Sequence, residues 1–345
     1  MSRSTSPIRL TEWTTCGGCA AKWGAARLRE LVGAIGGPTS PAGLLVGLDP
    51  SDDAAVYQVS DDVALVSTTD FFPPLVDDPS DFGAIAAANA CSDVFAMGGK
   101  VVLALHIAAF PEEFPLDAMG EIFAAAAATV VEAGGVVAGG HTIRSTEPIF
   151  GLAVQGVVQP GRQLTKGGAR IGDVLVLSKP LGTGLVLAAA PGDPTGTHLA
   201  EAISGMRELN RSAAEALVAC GAAVHAATDV TGFGLAGHGW EMAERSDARL
   251  SFEVAALPTY RGARAAAAAG VRTGGHARNA EAVVGRMVAH GSTDEAAVAE
   301  ALALDPQTSG GLLAAVDPAI LDDLLAVGFV AVGTVVNGPP GLDLR

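Results

Sequence analysis

Between Asp53 and Gln159, short apolar runs alternate with longer ones at helical spacing, and the strands outnumber the helices. That surplus of strands limits the fold more than any other feature of the chain. It points to an α+β layer rather than a doubly wound parallel sheet. The expected strands are Ala54–Val59, Val63–Thr68, Val101–Ala108, Val136–Ala138 and Ile149–Val158. The expected helices are Phe82–Met97, ended by Gly98-Gly99, and Leu116–Glu132.

At 345 residues the chain has room for a second core. Pro160–Lys166 is polar and glycine-containing, a candidate linker. Beyond it the pattern predicts strands Val174–Ser178, Val224–Ala227, Leu250–Val254, Leu312–Ala315 and Val330–Val335. Helices are expected near Gly184–Ala190, Ala200–Ala219 and Leu235–Arg245. Residues 1–50 show one plausible helix, Ala25–Ile35, flanked by glycine and proline. The expected organisation is therefore an N-terminal arm over 1–50, a first domain over 51–160 and a second over 166–345.

A net charge of −16 argues against a nucleic-acid surface, which needs clustered lysine and arginine. It does not argue against nucleotides, since carboxylates bind phosphates through magnesium. The apolar runs are too short or too broken by glycine to span a membrane, and no basic-then-apolar leader is present. Four cysteines without framework spacing fit a reducing compartment, so a soluble cytoplasmic protein is expected.

The arm carries Cys16-Gly17-Gly18-Cys19-Ala20-Ala21-Lys22, and the chain has only four lysines. A thiolate handles soft chalcogens, an adjacent ammonium lowers a thiol's pKa, and the same ammonium can hold phosphate as a point charge. Taken alone, Cys-x-x-Cys also reads as a redox pair or half a zinc site. Asp52 and Asp53 open a strand, where side chains alternate, so one can face a site while its neighbour caps a turn. Asn89 and Asp93 share one helix face. Asp229 ends the apolar run Val224–Ala227 before the turn Gly232-Phe233-Gly234. Asp53, Asp93 and Asp229 would supply oxygen ligands for magnesium from three distant places. Gly139-Gly140-His141-Thr142 ends an apolar strand, where glycines let backbone N–H groups approach phosphate. No Walker A loop occurs. Asp305–Gly311 reads as a structural turn, and His106, His198, His225, His238, His276 and His290 as ordinary residues. Cys91 and Cys220 read as small buried hydrophobes.

In this order the motifs resemble the selenophosphate synthetase (selenide, water dikinase) family, within the aminoimidazole ribonucleotide synthetase-like superfamily. The segments that carry the resemblance are the arm, Ser51–Val56, Ser67–Phe72, Asn89–Gly99, Gly139–Thr142, Thr228–Gly234 and Asp305–Gly311. It runs from about Leu10 to the C-terminus. It implies two α/β sandwich domains, a homodimer and ATP-dependent synthesis of selenophosphate from selenide, releasing AMP and phosphate. It assigns catalysis to Cys19 and Lys22, magnesium to Asp53, Asp93 and Asp229, and extends to potassium. It assigns the nucleotide to Lys22, Ser51, Asp52, Asp70, Asp93, Gly140, His141 and Thr142. The alternatives are a related ATP-dependent enzyme such as thiamine-monophosphate kinase, which would not need the Cys19/Lys22 arm, and a thiol or zinc-binding protein. The zinc reading would need a second ligand pair with metal spacing, and Cys91 and Cys220 are isolated.

Overall fold

The computed structural model describes residues 8–15, 17–35, 41–192 and 195–345. Its first sheet holds β1 (Leu44–Leu48), β2 (Ser51–Gln58), β3 (Ala64–Phe72), β4 (Lys100–Phe110), β5 (Val136–Arg144) and β6 (Ile149–Val158). Their order is β1-β2-β3-β6-β4-β5, antiparallel except for the β4–β5 pair. The second sheet holds β7 (Val174–Leu177), β8 (Val224–Asp229), β9 (Arg249–Phe252), β10 (Met287–Ala289), β11 (Leu312–Val316), β12 (Val330–Val336) and β13 (Gly341–Leu344). It runs β10-β13-β9-β12-β7-β11-β8. The α+β expectation for the first half holds, and the second sheet is mixed, parallel at β10–β13–β9 and antiparallel elsewhere.

The helix Pro79–Ala96 joins the two halves. Asp78 caps it by accepting the Asp81 N–H at 2.9 Å, and Pro79 starts it, where a missing N–H costs nothing. Alanine, glycine, serine and cysteine fill most of its length, and nearly all of it is buried. A helix covered on all sides cannot show an amphipathic stripe, and its small residues let neighbours come close. At Gly83 a Cβ would lie 2.2 Å from the Ile122 carbonyl oxygen, so the helix Leu116–Glu132 crosses it in near-backbone contact. In β11 the period of two sorts the side chains. Leu312, Ala314 and Val316 face the core shared with the first half, while Leu313 and Ala315 face a second core.

Several expectations are corrected. β1 pairs with β2, so the first sheet begins inside the segment assigned to the arm. The helix expected over Ala200–Ala219 is two, Thr197–Arg207 and Arg211–Cys220. The break buries the Asn210 side chain, whose Nδ2 donates to Ser92 Oγ at 2.9 Å and to the Gly310 carbonyl at 2.8 Å. Gly139–Thr142 does not end a strand but lies within β5, at the edge of the sheet. β10 and β13 were too short to stand out by periodicity.

Candidate functional site

Asp53 enters from β2, Asp70 from β3, Asp93 from the helix Pro79–Ala96 and Asp229 from the end of β8. The pleat of β2 separates the paired aspartates as expected. Asp52 accepts the backbone N–H groups of Asp53 at 2.9 Å and Lys166 at 3.1 Å, so it ties down the crossover between the halves. Asp53 turns inward, its side chain 2% exposed. Its Oδ1 accepts from Thr228 Oγ1 at 3.0 Å and from Lys166 Nζ at 2.9 Å. Ser92 Oγ donates to Asp229 Oδ2 at 2.7 Å, and Thr68 Oγ1 donates to Asp93 Oδ2.

Lys166 is the residue that sequence reasoning missed. It sits where the composition predicts a solvated linker, yet its side chain is 8% exposed and its Nζ also meets Glu241 Oε2 at 2.8 Å. The signal available was its rarity, one of four lysines in a strongly acidic chain. Lys22 Nζ pairs with Asp70 Oδ2 at 3.0 Å, which brings the N-terminal segment to the same line of carboxylates. Gly17 and Gly18 permit that docking. A Cβ on Gly17 would fall 2.2 Å from the Pro74 carbonyl oxygen, and Gly18 has φ +62° with Thr308 Oγ1 2.9 Å from where its Cβ would be. Cys16 and the side chain of Cys19 lie outside the described residues.

Asn89 bridges the halves. Its Nδ2 donates to Asp70 Oδ2 and its Oδ1 accepts the Ser309 N–H at 2.8 Å. The Asp305–Gly311 loop is a strut, as expected: Gln307 Oε1 accepts the N–H groups of Gly182 at 2.9 Å and Thr183 at 3.1 Å. Ser51 lies at the exposed start of β2, where Arg245 Nη2 reaches its Oγ at 3.4 Å. Gly140, His141 and Thr142 are exposed on β5, apart from the carboxylates.

Burial pushes the Asp53 carboxyl well above its ordinary range, and neighbouring Asp229 and Asp52 push it further despite Lys166. Asp93 is raised in the same way by burial, Asp229, Asp70 and Asp53, and burial also raises Asp229 and Asp52. Burial opposes the charge on Lys166, but Asp53 and Glu241 outweigh it and hold its pKa well above the usual value. The ammonium therefore stays charged, and the cluster still lacks positive charge.

Two carboxylate oxygens make this need local. Asp53 Oδ2 and Asp229 Oδ1 are buried without a hydrogen-bond partner. Among the described residues a group of three ligand-type side chains converges here, Asp53, Asp229 and His238, with one ligand atom of each within 4.8 Å of the others. Oxygen-only carboxylate donors with unused lone pairs fit a magnesium ion, which takes one or two protein carboxylates and fills its octahedron with phosphate and water. Asp93 is not among these three; its carboxylate stands beside them, coupled to their charge. Burial pushes the His238 imidazole down to about 3, so it is neutral. Of the other histidines read as ordinary, His225 has its side chain buried, with its Nδ1 2.9 Å from the Asp173 carboxylate. Cys91 is buried and its thiol is pushed up to about 12 by burial, so it is inert. No described helix is long and apolar enough to cross a membrane.

Family models match both halves: AIR synthase related protein, N-terminal domain, over residues 51–158, and the C-terminal domain over 170–339. A selenide, water dikinase of Burkholderia pseudomallei is 46% identical, with 97% of this chain and 96% of the relative covered. One from Myxococcus xanthus is 44% identical, covering 97% of each. Among solved structures, AaThiL complexed with AMPPCP and TMP superposes with a TM-score of 0.68 at 20% identity, covering 93% of both chains. That likeness concerns the fold alone.

Proposed function

Because this chain belongs to the selenide, water dikinase family, we propose that it makes selenophosphate from selenide and ATP, releasing AMP and orthophosphate. The observation that carries this reading is the Lys22–Asp70 ion pair at 3.0 Å, which links the Cys-x-x-Lys segment to the buried carboxylates. A kinase that needed only the carboxylates would have no use for a lysine delivered from that segment.

The chemistry divides into two displacements. Hydrogen selenide anion attacks the γ-phosphorus of ATP in line, the bond to the β–γ bridging oxygen breaks, and ADP leaves. Water then attacks the β-phosphorus of the retained ADP, giving AMP and phosphate. Cys19 guides the selenide, and Lys22 steadies the charge on the transferring group through position and electrostatics. Asp53, Asp93 and Asp229 would hold magnesium, which neutralises the triphosphate when bound. Asp70 receives Lys22 between turnovers and, with Ser51 and Asp52, borders the nucleotide. Closure of the segment over bound substrates would keep bulk water from the first displacement.

The same reading includes a second copy of the chain. Register puts Tyr57, Leu65, Phe71, Leu105 and Ile143 on one face of the first sheet, and all but Ile143 are bracketed by its antiparallel pairs. These side chains are exposed, and a face this apolar is covered in a homodimer. Gly140, His141 and Thr142 stand at that sheet's free edge and would reach the nucleotide from there. At Gly140 a Cβ would lie 2.4 Å from the His106 carbonyl oxygen, so the edge can only be this close-set with glycine.

The test is anaerobic incubation with ATP, Mg²⁺ and selenide, with AMP and phosphate quantified against time. Equal amounts of AMP and phosphate that depend on added selenide support the reading. ATP turnover indifferent to selenide would remove the selenium assignment and leave a superfamily kinase. Sedimentation of the same sample should give twice the monomer mass.

A further inference from the structure

His238 was expected to be an ordinary residue, and its surroundings do not fit that expectation. It lies on the helix Gly234–Ser246, buried to 4% exposure, with its Nε2 3.2 Å from Thr231 Oγ1. Its Nδ1 has no hydrogen-bond partner, and the nearest acidic atom paired with it, Glu241 Oε2, is 3.8 Å away and already bonded to Lys166. Phe233 covers one side of the ring at a centroid distance of 5.6 Å.

The partners of the three converging side chains account for all but one atom of each. Asp53 Oδ1 is taken by Thr228 and Lys166, Asp229 Oδ2 by Ser92 and His238 Nε2 by Thr231. What remains is Asp53 Oδ2, Asp229 Oδ1 and His238 Nδ1, each buried and each without a partner. With the ring proton on Nε2 and donated to Thr231 Oγ1, Nδ1 presents a lone pair, and a water molecule, which donates only two protons, cannot satisfy three acceptors at once. A cation can accept all three.

We propose that His238 is a ligand of the divalent cation at Asp53 and Asp229, so that an imidazole joins the carboxylates of this centre. The proposal rests on the divalent-cation reading above and adds a nitrogen to it. It also changes which ions the centre prefers. Carboxylate and water suit magnesium, calcium and manganese, whereas imidazole suits zinc, iron, nickel and copper, and affinity for a nitrogen-containing site rises from manganese towards copper. The hydrogen bond between Nε2 and Thr231 fixes the ring with Nδ1 forward, as an outer partner does for a ligating histidine.

The experiment loads the full-length protein with Mn²⁺ alone and records its electron spin-echo modulation. Directly coordinated imidazole gives a ¹⁴N pattern that is replaced by a ¹⁵N pattern when the protein is grown on ¹⁵N-histidine. The wild type should show both, which requires no variant to fold. His238→Asn should lose the nitrogen coupling and bind Mn²⁺ on the order of tenfold or more weakly, with a smaller change for Mg²⁺. His141→Asn should keep the coupling, which excludes a histidine brought by a second copy. Bound Mn²⁺ with no nitrogen coupling, or coupling that survives His238→Asn, would overturn the ligand assignment while leaving the metal reading intact. Failure to bind Mn²⁺ at all would overturn both.

Discussion

Lys22 and Lys166 each pair with a carboxylate of the same site, at 3.0 Å and 2.9 Å, but their side chains are 31% and 8% exposed. Lys22 arrives on a short segment seated by close glycine contacts to Pro74, Leu75 and Thr308, and its pair is part-exposed. Lys166 is pinned through its own backbone by Asp52 and through its Nζ by Asp53 and Glu241. A part-exposed pair contributes little stability because solvent competes for both charges. A buried one is hard to break, because the carboxylates left behind cannot be hydrated. One site thus holds one lysine that solvent reaches and another sealed among carboxylates.

The sharpest way to break that comparison is Lys166→Met. It strands Asp53 and Glu241, and the expected loss of unfolding free energy is about 3–5 kcal/mol. Urea denaturation measures it, and a loss below about 1 kcal/mol would mean that the two lysines are equivalent after all. Next is Lys22→Met, expected to change stability by less than about 1 kcal/mol while lowering kcat roughly 10²–10³-fold, as removal of one transition-state donor does. A Lys22 variant that unfolds easily but turns over normally would reverse the assignment.

The smallest effect expected lies away from both lysines. Burial pushes the Asp305 carboxyl up to about 7 from 3.8, so between those values the folded chain keeps a proton that the unfolded chain has released. Its contribution is therefore greatest at low pH and is lost as pH rises through about 7. Asp305→Asn should flatten that decline in urea stability. Parallel slopes for wild type and variant across the window would contradict the shift.

Much of this was legible in the sequence, and where it was not, the reasons are specific. The helix Leu116–Glu132 and strand Ile149–Val158 were found to the residue because their apolar spacing is unbroken. The helix Pro79–Ala96 was expected a little late, over Phe82–Met97, and Asp93 and Asp229 stood out by the small residues around them. Lys166 could not, since the polar stretch before it looks like any linker and only the fold presses it against Asp53. His238 was read as ordinary for a similar reason: Asp53 is distant in sequence, and only the fold brings it together with Asp229 and His238. Asn210 broke a predicted helix because a buried amide needs partners, Ser92 and Gly310, that a local pattern cannot supply.

The most direct test of the account is ³¹P NMR of the protein with ATP, Mg²⁺ and selenide under strict anaerobiosis, beside Lys22→Ala. The account predicts a new selenophosphate resonance with matching AMP and phosphate in the wild type, and its loss in a Lys22→Ala protein that remains folded. AMP and phosphate without the new resonance, or an undiminished resonance in Lys22→Ala, would contradict it.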